Sequence, residues 1–150
     1  MIITFFGHSN FTENLAVKEE IFNLLKERIN GEMVTFYIGG YGNFDNFALK
    51  ICKEYKSTNN AKILFVTPYL GDWLNKRKEY FEKEYDEILY PDIENSPLKY
   101  AIIKRNEWMV KRSDLIIAWV NVRFGGAYNA LLYAKRKNKE YINLFKDFEV

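Results

Sequence analysis

The chain alternates short apolar runs with amphipathic stretches, and four of the runs end in a loop marked by glycine or proline. The loops are Gly7-His8-Ser9-Asn10, Gly39-Gly40-Tyr41-Gly42, Thr67-Pro68-Tyr69-Leu70 and Gly125-Gly126-Ala127-Tyr128. Repeated strand–loop–helix units favour a parallel sheet, because parallel neighbours need a crossover and the crossover is usually a helix. All strand-to-helix loops of such a sheet emerge on one edge, the carboxyl ends of the strands. Open α/β sheets bind their ligands there. Glycines on that edge let backbone approach a ligand, and helix N-termini offer unpaired N–H groups to an anion.

The run Ile2 to Phe6 suits a strand covered on both faces. Asn10 with Glu13 resembles a capping box, and the helix after it places Leu15, Phe22, Leu25 and Ile29 inward before Asn30-Gly31 ends it. Met33 to Ile38 reads as a second strand, and a helix from about Phe44 to Tyr55 turns Phe47, Ala48, Ile51 and Cys52 inward. Lys62 to Thr67 reads as a third strand. The charged stretch Asp72 to Glu84 reads as helical, Glu87 to Tyr90 as a short strand and Pro91 to Pro97 as a surface loop. A helix from about Leu98 to Lys111 precedes the strongest strand, Leu115 to Val120. Gly125 and Gly126 then open a helix through Lys137 with Ala130, Leu131 and Ala134 inward, and Tyr141 to Leu144 reads as a last strand. The expected architecture is one α/β domain over residues 1–150, Rossmann-like, with a mostly parallel sheet and helices on both faces.

Composition narrows the function classes. A formal net charge of +2 gives no footprint for a nucleic-acid or membrane partner. The short basic groups Lys135-Arg136-Lys137 and Lys111-Arg112 read as solvated helix ends. The single cysteine, Cys52, permits no internal disulfide and no cysteine metal cluster, and the single histidine, His8, excludes a multi-histidine metal site. No residue pattern implies a cofactor. The N-terminus reads as a strand rather than a leader or a membrane span, so the expectation is a soluble cytoplasmic protein. Aromatic residues make up 17%, and the tyrosines beside the glycine loops are candidates to stack on a base.

Gly39-Gly40-Tyr41-Gly42 is the foremost candidate phosphate cradle, with a tight turn as the alternative. Asp45 follows in the first helical turn, where it either complements the helix dipole or meets a ribose hydroxyl or base edge. Gly125-Gly126, with Ala127 and Tyr128, is the second candidate loop, and Gly7-His8-Ser9 the third. His8 suits contact with a phosphate, action as a base or bracing of its loop. Pro68 and Tyr69 are expected to form one wall. Arg105 is placed either to pair a phosphate bidentately or to form a surface salt bridge. Trp108 and Met109 read as core.

These residues resemble the SLOG superfamily, which includes the LONELY GUY phosphoribohydrolases, the DprA/Smf proteins and the YpsA-like proteins. The second half carries the likeness through Arg105, Asn106 and Met109, then Ser113-Asp114-Leu115-Ile116-Ile117-Ala118 and Gly125-Gly126-Ala127-Tyr128. In the first half, Phe6-Gly7-His8-Ser9 and Tyr37-Ile38-Gly39-Gly40-Tyr41-Gly42-Asn43-Phe44-Asp45 are most similar to the YpsA-like branch. The resemblance implies a site for a nucleotide or nucleotide derivative, and a homodimer. LONELY GUY enzymes hydrolyse the base–ribose bond with an arginine and a glutamate. Arg105 matches that arginine, but Leu132 stands at the glutamate position, and a leucine neither stabilises an oxocarbenium ion nor activates water. The resemblance therefore implies ligand binding without catalytic residues, as a sensor, carrier or sequestering protein. The alternative is a hydrolase of an N-glycosidic or phosphate bond using another carboxylate, Asp45 or Glu107. Single-stranded DNA binding, as in DprA, is disfavoured by the small net charge.

Overall fold

The computed structural model describes residues 1–150. Its strands are β1 (Ile2–Gly7), β2 (Val34–Ile38), β3 (Ala61–Val66), β4 (Glu87–Leu89), β5 (Leu115–Trp119) and β6 (Tyr141–Asn143). Its α-helices are α1 (Leu15–Arg28), α2 (Gly42–Lys56), α3 (Asp72–Asn75), α4 (Lys78–Glu84), α5 (Ala101–Arg112) and α6 (Gly126–Arg136), with a 3-10 turn at Leu98–Tyr100. The sheet has the order β4-β3-β2-β1-β5-β6, and every neighbouring pair is parallel. The Rossmann-like arrangement expected from the alternation is present.

Strand residues alternate between two cores, as the period of two requires. Ile3 and Phe5 enter a core with Ile21 and Leu25 of α1, Phe47 and Ile51 of α2 and Phe81 of α4. Phe6 enters the opposite core with Met109 and Val110 of α5 and Leu131 and Ala134 of α6. Side chains such as Ile21 and Leu25, with no exposed surface, each contribute about 1.5–3 kcal/mol by burial. No helix is long and apolar enough to cross a membrane.

The chain steps from β1 outward to β4, then returns across the other face through α5 to pair β5 with the free side of β1. This reversal puts a topological switch point between β1 and β5, where neighbouring loops diverge and leave a crevice.

Three local expectations need correction. The first helix starts at Leu15 rather than after Asn10, because Asn14 is its cap and Oδ1 accepts the N–H groups of Ala16 and Val17. The inward stripe is consequently Val17, Ile21 and Leu25, while Leu15 is exposed. The stretch Asp72 to Glu84 is two helices, not one. Only Phe81 of those helices is buried, and the break lets its ring stack on Phe65 with centroids 3.7 Å apart.

Candidate functional site

A cavity of about 470 Å³ opens at the switch point. Its walls are the loop after β1, the loop after β2, the loop between β5 and α6, and one face of α5. Hollows of about 540 and 660 Å³ elsewhere on the surface are lined by none of the candidate ligand residues, and one of about 490 Å³ is lined by only two, Pro68 and Tyr69. The convergence of four elements at the strand ends, rather than size, identifies the site.

Of the residues singled out from the sequence, Gly7, His8, Ser9, Gly39, Tyr41, Asp45, Arg105, Asn106, Gly125, Gly126 and Ala127 line this cavity. Gly40, Gly42, Pro68, Tyr69 and Tyr128 do not. Gly40 has φ of +66°, and a Cβ there would sit 2.5 Å from the Phe65 ring, so packing accounts for the glycine. A Cβ on Gly42 would meet the Ser9 backbone at 2.5 Å, and Asn43 N–H donates to Ser9 O at 3.0 Å. The second loop is thereby pressed onto the first. Pro68 and Tyr69 line a separate, mostly apolar hollow with Trp73, Tyr90 and Leu98. That separation follows from strand order, since β3 lies beyond β2 from the crevice. The Tyr128 ring packs edge-on against Phe148.

The sequence reading missed Phe5, Phe6, Asn10, Ile102, Asn121, Val122 and Phe124 as lining residues. Asn121, Val122 and Phe124 lie between the end of β5 and Gly125, a position that by itself puts them on the carboxyl edge. Ile102 shares a helical face with Arg105 three residues on.

The loops are fixed to one another before any ligand enters. Gly7 lies against Phe44, so closely that a Cβ would be 2.1 Å from the ring. His8 Nε2 accepts the Asn121 N–H at 3.1 Å, which joins the first loop to the fifth strand's loop. An accepting Nε2 requires a neutral ring, and burial lowers the His8 pKa in the same sense. Asn143 clamps Val120 from both sides, accepting its N–H and donating to its carbonyl at 2.9 Å each.

Arg105 is buried, which rules out the surface salt bridge as its role. Its Nη1 donates to Gly39 O at 3.0 Å and to Val66 O at 2.7 Å, and its Nε donates to Asn106 Oδ1 at 2.8 Å. Nη2 has no protein acceptor, yet no buried side-chain nitrogen or oxygen lacks a partner. Nη2 therefore reaches accessible space, and the cavity is the space Arg105 lines. Burial lowers its pKa to about 10, with Asp45 opposing, so the guanidinium stays charged at neutral pH.

Asp45 is the acidic counterpart. Its Oδ2 accepts the Tyr41 N–H at 2.8 Å, while Oδ1 accepts nothing from the protein and is likewise accessible. Burial pushes its carboxyl up to about 7, against the Tyr41 N–H and the charge of Arg105, which pull it down. The cavity thus holds one buried cation and one buried, titratable acid, each with an uncommitted atom.

The helix ends at the site differ. The α2 N-terminus carries Asp45 in its first turn, an electrostatic obstacle to a bound anion. The α6 N-terminus has no acidic residue in its first turn and no side-chain cap. Its first helical bond runs from Asn129 N to Gly125 O, which leaves the N–H groups of Gly126, Ala127 and Tyr128 without helical partners. Asn106 stands beside this end, with its Nδ2 3.7 Å from where a Gly126 Cβ would be.

Of the two carboxylates weighed for catalysis, Glu107 lies elsewhere, as does Leu132 at the expected glutamate position. Glu107 pairs with Lys104 at 3.4 Å, and both Glu107 and Leu132 line a neighbouring hollow between α5 and α6. Trp108 stacks on Tyr37, and Met109 is fully buried, as core residues do. Compared with known proteins, the chain matches no family model and no curated protein.

Proposed function

We propose that this chain binds a nucleotide or nucleotide-derived small molecule in the switch-point cavity, as a sensor, carrier or sequestering protein. The phosphate sits at the uncapped α6 N-terminus beside Arg105 Nη2, and a sugar hydroxyl donates to Asp45 Oδ1. The observation that carries this reading is the pairing of two buried polar groups, each with one atom left open to the same cavity. A polar atom open to a cavity is free to exchange its water for a matching ligand group. The phosphate is better served by α6 than by the Gly39–Gly42 loop, where Asp45 already holds the Tyr41 N–H. We read the chain as a SLOG relative nearest the YpsA-like branch. The meeting of Arg105, Asn106, Gly125 and Gly126 in one cavity supports that reading.

A second reading rests on Asp45 alone. A carboxyl held near 7 in a cavity is matched to proton transfer at neutral pH. Asp45 then acts as the acid or base of a hydrolase that cleaves an N-glycosidic or phosphate bond. One experiment separates the two. The protein is purified from cells and denatured, any released small molecule is identified by mass spectrometry, and that molecule is incubated with fresh protein. Recovery of a phosphorylated nucleoside compound without turnover supports the binding reading. Turnover that Asp45→Asn abolishes promotes the enzyme, and recovery of a compound lacking phosphate contradicts the proposed pose.

A further inference from the structure

The four exposed aromatic side chains are Tyr41, Tyr80, Tyr100 and Phe124, and the two most exposed are Tyr41 at 69% and Phe124 at 72%. Both line the switch-point cavity, and a third exposed apolar side chain, Ile102, lines it with them. Most aromatic rings of this chain are paired, as Tyr37 is with Trp108 and Phe65 with Phe81. Neither Tyr41 nor Phe124 packs on any other ring.

Their exposure does not come from loose backbone. The Tyr41 N–H is tied to Asp45, and the loop bearing Phe124 is held by Asn143 at Val120 and by His8 at Asn121. The neighbouring Arg123 guanidinium lies over the Phe148 ring, 5.0 Å from its centroid. β2 and β5 flank β1 in the sheet, so the loops bearing the two rings rise on either side of the loop that floors the cavity. Rings of this size bury on the order of 150–250 Å² each when covered. A flat, apolar group with polar edges is the occupant that a pair of rings carried on fixed backbone accommodates, and any nucleobase has the π-face they need. Asn10 and Asn121 line the same space, and neither side-chain amide has a hydrogen-bond partner in the protein.

We propose that Tyr41 and Phe124 form an aromatic clamp for a planar base, so that the cavity selects a nucleoside phosphate over a sugar phosphate. This inference rests on the phosphate-binding reading above. Tyr41 and Asp45 share one loop-to-helix junction, and Phe124 and Gly126 share another. A base in the clamp therefore continues from a sugar at Asp45 and a phosphate at α6.

The test is calorimetric titration with ribose 5-phosphate and with the four common ribonucleoside 5′-monophosphates. The probes are added to wild type, to Tyr41→Ala with Phe124→Ala, and to Tyr41→Phe with Phe124→Tyr. Both side chains are exposed, so the fold is expected to survive, and circular dichroism verifies it. In wild type at least one nucleotide binds at least tenfold more tightly than ribose 5-phosphate, equivalent to about 1.4 kcal/mol. The double alanine variant reduces that ratio below twofold, and the aromatic-preserving pair keeps it. Equal affinities in wild type, or a ratio that survives the double alanine change, overturns the clamp alone. If none of the five probes binds wild type, the phosphate reading fails and the clamp falls with it.

Discussion

Asp45→Asn gives the sharpest energetic test, because it removes a charge that the fold keeps out of water. Burial pushes the Asp45 carboxyl up to about 7 from its ordinary 3.8. Between those values the folded chain holds a proton that the unfolded chain has released. Stability from this group is therefore fully present below the unfolded value and is lost as pH rises through about 7. A gap of about three pH units at 1.36 kcal/mol each sets the loss at about 4 kcal/mol for complete desolvation. Oδ1 is open to the cavity, so the expected loss is nearer ~2 kcal/mol. Asparagine keeps an oxygen for the Tyr41 N–H and carries no charge at any pH. The variant should match wild type in stability near pH 4 and exceed it by about 2 kcal/mol at pH 8. Urea unfolding of both proteins across that range reads the difference directly, and pairs such as Lys56–Asp86 and Arg28–Glu140 cancel because both proteins keep them. A constant difference with pH, or a variant less stable than wild type at pH 8, refutes the burial argument.

Arg105→Ala leaves Gly39 O and Val66 O without their buried donor and should lower stability by about 1.5–3 kcal/mol, measured by chemical denaturation. It also removes the cation that pulls Asp45 down, so the carboxyl titration followed by carbon NMR should move above about 7. Gly40→Val puts a branched side chain at φ +66° and against Phe65. It should cost about 3 kcal/mol or more in stability, so a folded Gly40→Val protein with unchanged melting contradicts the packing role.

The main strands were readable because they are short, mostly apolar runs, and the carboxyl-edge loops because glycine or proline follows them. Asp45 and the Gly125-Gly126 pair fell where position in a strand–loop–helix unit put them. Strand order was not readable, since it depends on which strands pair across the molecule. That is why Pro68 and Tyr69 were expected at the site and stand instead beside Trp73. The burial of Arg105 was equally hidden, because its acceptors come from residues 39 and 66 and leave no trace in the α5 sequence. Local competition explains the late start of α1. Asn10 with Glu13 has the spacing of a cap, but Asn14 makes the bonds. Phe124 was overlooked because apolar residues are expected inside, and its meaning comes only from being exposed beside a cavity.

The docking position of a phosphorylated nucleoside is the most direct test of the proposed site. Nitrogen-15-labelled protein titrated with a ribonucleoside 5′-monophosphate reads this residue by residue. Saturable shifts, with one common affinity, are expected at the amides of Gly126, Ala127 and Tyr128 and at the Arg105 guanidinium Nε. Shifts confined to the Tyr69, Trp73 and Tyr90 hollow, or no saturable shift with any of the four nucleotides, would contradict the proposed site.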